Sequence, residues 1–90
     1  MLDVIRSNKF KKDYKRCIKQ GKDIEEIKRV ILILARPETL PRYYLPHALQ
    51  GELNGWLECH IDPDWLLIYR YGEHGLELFR TGSHAELFKK

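Results

Sequence analysis

The sequence predicts an α+β fold, with two N-terminal helices packed on one face of an antiparallel sheet of four or five strands and a short C-terminal helical turn. Three observations predict it. Apolar residues recur at helical spacing in the first third of the chain and alternate in the last third. A run with Pro37, Pro41 and Pro46 separates the two regions and breaks regular structure. Helices followed by strands, rather than interleaved with them, give a helical layer on one sheet face. Ninety residues, with no internal repeat, low-complexity tract or linker, make one domain over 1–90.

Leu2–Arg6 reads as a short first strand. Ser7 can cap the helix that follows, because its hydroxyl accepts from an exposed backbone N–H of the first turn. Phe10, Tyr14, Cys17 and Ile18 recur at i, i+4, i+7 and i+8, a helical stripe that Gly21 ends. Asp23 opens a second helix, and Glu26 three residues on resembles a capping box. Ile24, Ile27, Ile31 and Leu34 make its buried stripe. The run VILIL (30–34) also suits a strand, but the cap and the stripe favour helix. Arg36 to Pro46 is a loop that carries Arg42, Tyr43 and Tyr44.

Beyond the loop, His47–Gln50 reads as a short strand and Gly51–Gly55 as a turn. Trp56–Ile61 alternates, with Trp56, Glu58 and His60 on one side and Leu57, Cys59 and Ile61 on the other. The apolar set is expected to face the helices. Asp62-Pro63-Asp64 turns the chain, Trp65–Tyr71 returns, Gly72–Gly75 turns again and Leu76–Thr81 forms the last strand. Ser83 and Glu86 have capping-box spacing, which puts His84 in the first turn of a terminal helix.

Composition narrows the setting. No apolar run is long enough to cross a bilayer, and MLDVIRSNKF lacks the basic-then-apolar pattern of a secretory signal. Cys17 and Cys59 lie far apart among apolar neighbours and read as buried free thiols, which places the chain in the cytoplasm. Charge is uneven: residues 1–22 carry a net +6, and the remainder −3. A basic front on an acidic body suits an anionic partner, nucleic acid or an acidic protein segment. A solvated helix face that aids solubility has the same composition.

The sheet face away from the helices holds the chemistry. Alternation puts Glu58 and His60 there, with Asp64 and Trp65 just across the hairpin turn. Arg80 and His84 share a parity on the last strand, and His47 precedes a strand of the same sheet. Imidazoles move protons near neutrality, a carboxylate orients a ring, and an arginine holds a phosphate. Trp65 and Phe88 can stack on bases if exposed. These parts match metal-independent RNA cleavage, with 2′-OH attack on the adjacent phosphate. Other readings stay open: structural histidines, an Arg80–Glu58 pair, and zinc held by His47, His60, Asp64 and His84, though their spacing is not that of a tight metal motif. His74 lies in a polar turn and is expected to be solvated.

HALQG (47–51), ECHIDPDWLLIY (58–69) and RTGSHAELF (80–88), in this order and spacing, resemble the YafQ branch of the RelE/ParE toxin superfamily. The likeness covers nearly the whole chain. It implies a RelE-like, microbial RNase-like fold and a type II toxin: a ribosome-dependent mRNA endonuclease that halts translation. By this resemblance His47, His60, Asp64 and His84 are catalytic, with His84 as acid and His47 or Asp64 as base, while Trp65, Arg80 and Phe88 contact substrate. It implies no cofactor and no metal. The expected partners are a cognate acidic antitoxin, mRNA and the 30S A site, where Lys11, Lys12, Lys15 and Arg16 would meet RNA phosphates, with operator DNA reached only through the antitoxin. Glu58 and Ala48 depart from the pattern, where some relatives carry aspartate and proline, at positions expected to have little bearing on the chemistry. Rival functions are a ParE-like poison of gyrase and a non-catalytic regulatory module of a toxin–antitoxin pair.

Overall fold

The computed structural model describes residues 1–36 and 41–88, so Pro37 of the expected loop lies outside the described residues. In chain order the elements are β1 (Val4–Arg6), α1 (Asn8–Lys19), α2 (Ile24–Ala35), a 3₁₀ turn (Arg42–Tyr44), β2 (His47–Ala48), a second 3₁₀ turn (Gly51–Leu53), β3 (Leu57–Asp62), β4 (Trp65–Gly72), β5 (Gly75–Gly82) and α3 (His84–Phe88). The sheet order is β1-β5-β4-β3-β2. The sheet is mixed, a departure from the antiparallel expectation: β1 runs parallel to β5, while the hairpins from β2 to β5 are antiparallel. Both helices intervene between β1 and β5, and that long crossover is what a parallel neighbour requires.

Each helix begins and ends on local chemistry. Ser7 Oγ accepts from Phe10 N–H at 2.9 Å and donates to the Phe79 carbonyl at 2.6 Å, capping α1 and pinning its start to β5. Gly21, at φ 75°, closes α1: its N–H reaches the Ile18 carbonyl and that of Lys22 the Cys17 carbonyl. Asp23 caps α2 through Glu25 N–H at 3.0 Å. Glu26 does not complete a capping box; its carboxyl meets Asp62 instead.

The core lies between the helices and one sheet face. Phe10, Cys17, Ile27, Val30 and Leu34 pack against Cys59, Ile61, Trp65, Leu67, Tyr69, Leu76 and Leu78. Two helix stripes differ from expectation. Ile18 is exposed and Asp13 is buried in its place, because a polar network described below needs Asp13 inside. In α2, Val30 joins Ile27 and Leu34 as fully buried, while Ile24 and Ile31 pack at the margin.

Two register shifts position the open face. Between β3 and β4, His60 pairs with Leu66 in the regular register, and the shift that follows sets Trp65 opposite Asp62. Between β4 and β5, Ile68 faces Arg80 while Tyr69 faces Leu78, so Phe79 is an extra residue in β5. The bulge reverses the expected parity. Leu78 stays in the core, and Arg80 goes with Ile68 to the opposite face.

Candidate active site

Two strands and one helix bring three histidines into a row. Pairing of β2 with β3 sets His47 opposite Glu58, and His60 follows two residues later on the same face. The His60 ring centroid lies 6.2 Å from that of His47 and 5.7 Å from that of His84. His84 is the first residue of α3, whose start is fixed by a reciprocal capping box: Glu86 N–H donates to Ser83 Oγ at 3.1 Å and Ser83 N–H to Glu86 Oε1 at 2.8 Å.

Hydrogen bonds assign protons to two of these rings. Oδ1 of Asp64 accepts the backbone N–H of His84 at 3.0 Å and faces its ring Nδ1 at 2.9 Å. Nδ1 therefore carries a proton and Nε2 is left to the solvent side. The same two contacts, the backbone N–H first, hold the Asp64 carboxyl below its ordinary range. His47 is placed differently. Its Nδ1 lies 3.0 Å from the Leu45 carbonyl and its Nε2 2.7 Å from Glu58 Oε2, an acceptor at each nitrogen. The ring is thereby held from both sides, by the Leu45 carbonyl and by the buried Glu58 carboxyl.

Behind the row stands a polar network that ties α1 to the end of β5. Asp13, 2 % exposed, accepts from Arg80 Nε at 2.8 Å and from its second guanidinium nitrogen at 2.9 Å. Asp13 also accepts the Thr81 N–H at 3.2 Å, while Arg16 donates to the Thr81 carbonyl at 3.0 Å. Beyond the end of β1, side chains of α1 thus satisfy the backbone edge of β5. Burial would raise the Asp13 carboxyl, but the Arg80 and Thr81 hydrogen bonds and the two arginine charges outweigh it and leave it lowered. Arg16 Nε also sits 3.1 Å from Glu86 Oε2, an ion pair without hydrogen-bond alignment.

The structure brings His47, His60, Asp64 and His84 together as expected, and Phe88 lies with them, its ring 6.4 Å from that of His84. Trp65 does not join them. It is 1 % exposed, faces the helices, and donates from Nε1 to Thr81 Oγ1 at 2.9 Å, so it cannot stack on a base. Arg16 is occupied by Asp13, Thr81 and Glu86 and is not free for RNA phosphates; Lys11, Lys12 and Lys15 are exposed. Arg80 pairs with Asp13 rather than Glu58, and its remaining surface lines a cleft of about 530 Å³ with Lys9, Phe79 and Phe88. Glu58 is the partner of His47. Its register opposite His47, two residues before His60, was the signal that could have found it. Asp13 left a weaker trace, a carboxylate among lysines on an otherwise basic helix. His74 is exposed, as expected of its turn.

Similarity to known proteins agrees with this arrangement. The family model described as a bacterial toxin of type II toxin–antitoxin system, YafQ, matches residues 2–89. The chain belongs to the YafQ family. The mRNA interferase toxin YafQ of Escherichia coli K12 is 38 % identical over 87 residues, 96 % of this chain and 95 % of that protein. The crystal structure of YafQ in a DinJ–YafQ complex from E. coli superposes with a TM-score of 0.88 at 37 % identity, covering 98 % of this chain and 99 % of that one. A metal-bound toxin from Helicobacter pylori superposes with a TM-score of 0.90 at 42 % identity, covering 98 % and 100 %. Among the described residues of this YafQ-family chain, no three metal-ligating side chains gather around one point.

Proposed function

We propose that this YafQ-family protein is an endoribonuclease that cuts mRNA on the ribosome, stops translation, and is neutralised by an antitoxin that covers it. The observation that carries the proposal is the histidine row, with Asp64 fixing one nitrogen of His84 and leaving the other free. In the reaction the ribose 2′-OH attacks the adjacent phosphorus, its proton passes to a base, and the 5′-oxygen leaves with a proton from an acid. The products are a cyclic phosphate end and a 5′-hydroxyl end, so every proton and bond is accounted for.

The geometry of the row supports a division of these roles. His84 suits the acid: its Nδ1–H is held by Asp64, so Nε2 delivers the proton in a fixed direction. Asp64 orients that ring and is a weak base, because the His84 contacts hold its carboxyl below its ordinary range. His47 has an acceptor at each nitrogen, so both are engaged and its ring suits a fixed wall that positions the substrate beside His60. His60 lies between the two, and no bond to its ring occurs among the described residues, so it is the group best placed to take the 2′-OH proton. Arg80 and Phe88 border the cleft along which the RNA would continue. Exposed Lys11, Lys12 and Lys15 would meet ribosomal phosphates, and no described helix is long and apolar enough to cross a membrane.

The test is induced expression of wild type and His84→Ala, with primer extension on a reporter mRNA in the presence of ribosomes. Discrete cuts and growth arrest with wild type, both lost in His84→Ala, are expected. Growth arrest without cuts, equally strong in the variant, would reject the nuclease.

A further inference from the structure

A depression beside the histidine row has no role in the steps above. It measures about 610 Å³ and lies between α2, the first 3₁₀ turn and the end of β3, with Glu26, Arg29, Tyr43, Tyr44, His60 and Asp62 among its walls. His60 belongs to both the row and this wall, so whatever fills the depression touches the reacting nucleotide.

Its walls combine a flat apolar surface with paired carboxyl groups. Tyr43 is 73 % exposed and its ring rests on that of Tyr44, centroids 4.3 Å apart and planes inclined by 37°. Tyr44 is buried, so the outer ring is backed by a fixed one. In the same wall the Glu26 and Asp62 carboxyls meet, and the Glu26 carboxyl is raised, by desolvation first and by its contact with Asp62 second. Arg29 stands beside them on α2.

The backbone joins this platform to the catalytic row. Leu45, at φ 50°, is the only non-glycine residue with positive φ among the described residues. A left-handed leucine is unfavourable and persists where the surroundings demand it. Here the strained residue ends the Tyr43–Tyr44 turn and turns its own carbonyl to His47 Nδ1. The platform and His47 are thereby set by one backbone conformation.

We propose that this depression is a nucleobase subsite: it holds, next to the bond being cut, a base of the mRNA that carries an exocyclic amine. The base lies on Tyr43, and its amine donates to the Glu26–Asp62 pair. Uracil has no such amine and presents carbonyl oxygens that the acidic wall does not favour. The proposal rests on the endoribonuclease reading above and adds the source of its base preference.

The experiment maps cut sites by primer extension, using purified protein, programmed ribosomes and one reporter mRNA rich in all four bases. It compares wild type, Tyr43→Ala, Tyr43→Phe and the Glu26→Gln/Asp62→Asn double variant, each checked for an unchanged melting temperature. Tyr43→Ala is expected to slow cutting by about fivefold or more at subsaturating protein, the size of a lost base–aromatic stack. Tyr43→Phe keeps the ring and the rate. The double variant is expected to redistribute cuts toward uracil-flanked positions. Wild-type rate in Tyr43→Ala, or wild-type cut distribution in the double variant, overturns the subsite. A uniform loss at all sites in the double variant, without redistribution, also overturns it, since the carboxyl pair would then not select the base. Uncut mRNA with wild type defeats the nuclease itself, a different failure.

Discussion

One carboxylate oxygen, Oδ1 of Asp64, holds both the backbone N–H and the ring of His84. The Asp64 carboxyl is lowered, so this contact is fully present above the ordinary carboxylate range and is lost only as pH falls through the lowered value. Asp64→Asn is expected to reduce cleavage less than His84→Ala, for which a loss of about 10² or more is expected. Equal losses in single-turnover assays would make Asp64 a proton-transfer group instead of an orienting one. Asp13 applies the same logic to stability. It is buried and ion-paired, and removing one partner of such a pair typically costs about 3 kcal/mol or more. Because its carboxyl is lowered, that stabilisation is present above the unfolded carboxyl's pKa and disappears as pH falls through the folded one. The melting temperatures of wild type and Asp13→Asn are therefore expected to differ widely at neutral pH and to converge in strong acid. A gap that does not depend on pH would assign the effect to packing.

At the scale of elements, α3 is the piece that function hangs on, and it is too short to be stable alone. Its order comes from the Ser83–Glu86 box and from Glu86, which also meets Arg16 and Gln20 of α1's end. Ser83→Ala is expected to cost about 1 kcal/mol locally. Hydrogen exchange should rise over residues 84–88 and cleavage should fall, while the global melting temperature barely moves. Unchanged exchange with lost activity would point to a direct role for the Ser83 hydroxyl. The β5 bulge works at this scale too. It sends Arg80 across the sheet from Leu78, and Thr81 back into the core beside Trp65.

Over the whole molecule, the charge division gives two working surfaces. The helix α1 shows Lys11, Lys12 and Lys15 outward while turning Asp13 and Arg16 inward to the sheet. One helix thus offers a basic exterior for phosphates and an interior brace for the active face. Changing Lys11 and Lys12 to Glu is expected to weaken ribosome association and flatten its salt dependence, leaving single-turnover chemistry intact once bound. Unchanged ribosome affinity in sedimentation would leave the lysines a solubility role only. The same exposed surface suits the acidic antitoxin, so competition between ribosome and antitoxin is expected to share this salt dependence.

What the amino-acid sequence determined by itself is local and periodic. Ser7, Gly21 and Asp23 set helix ends, and the Ser83–Glu86 spacing set a cap, because caps depend on residues within a turn of one another. Alternation from Leu57 to Ile61 put Glu58 and His60 on the open face, because side chains in a strand repeat every two residues. The tertiary structure alone decided what depends on register and on distant partners. Trp65 lies in the core with Leu67 and Tyr69 of β4, where it meets Thr81, and a shift in the pairing of β4 with β5 separated Arg80 from the parity of Leu78. The burial of Asp13, the withdrawal of Arg16 and the partnership of Glu58 with His47 each join residues from different elements. A bulge adds one residue to a strand without a mark that periodicity can read, and a buried charge is made tolerable only by a partner the chain brings from elsewhere.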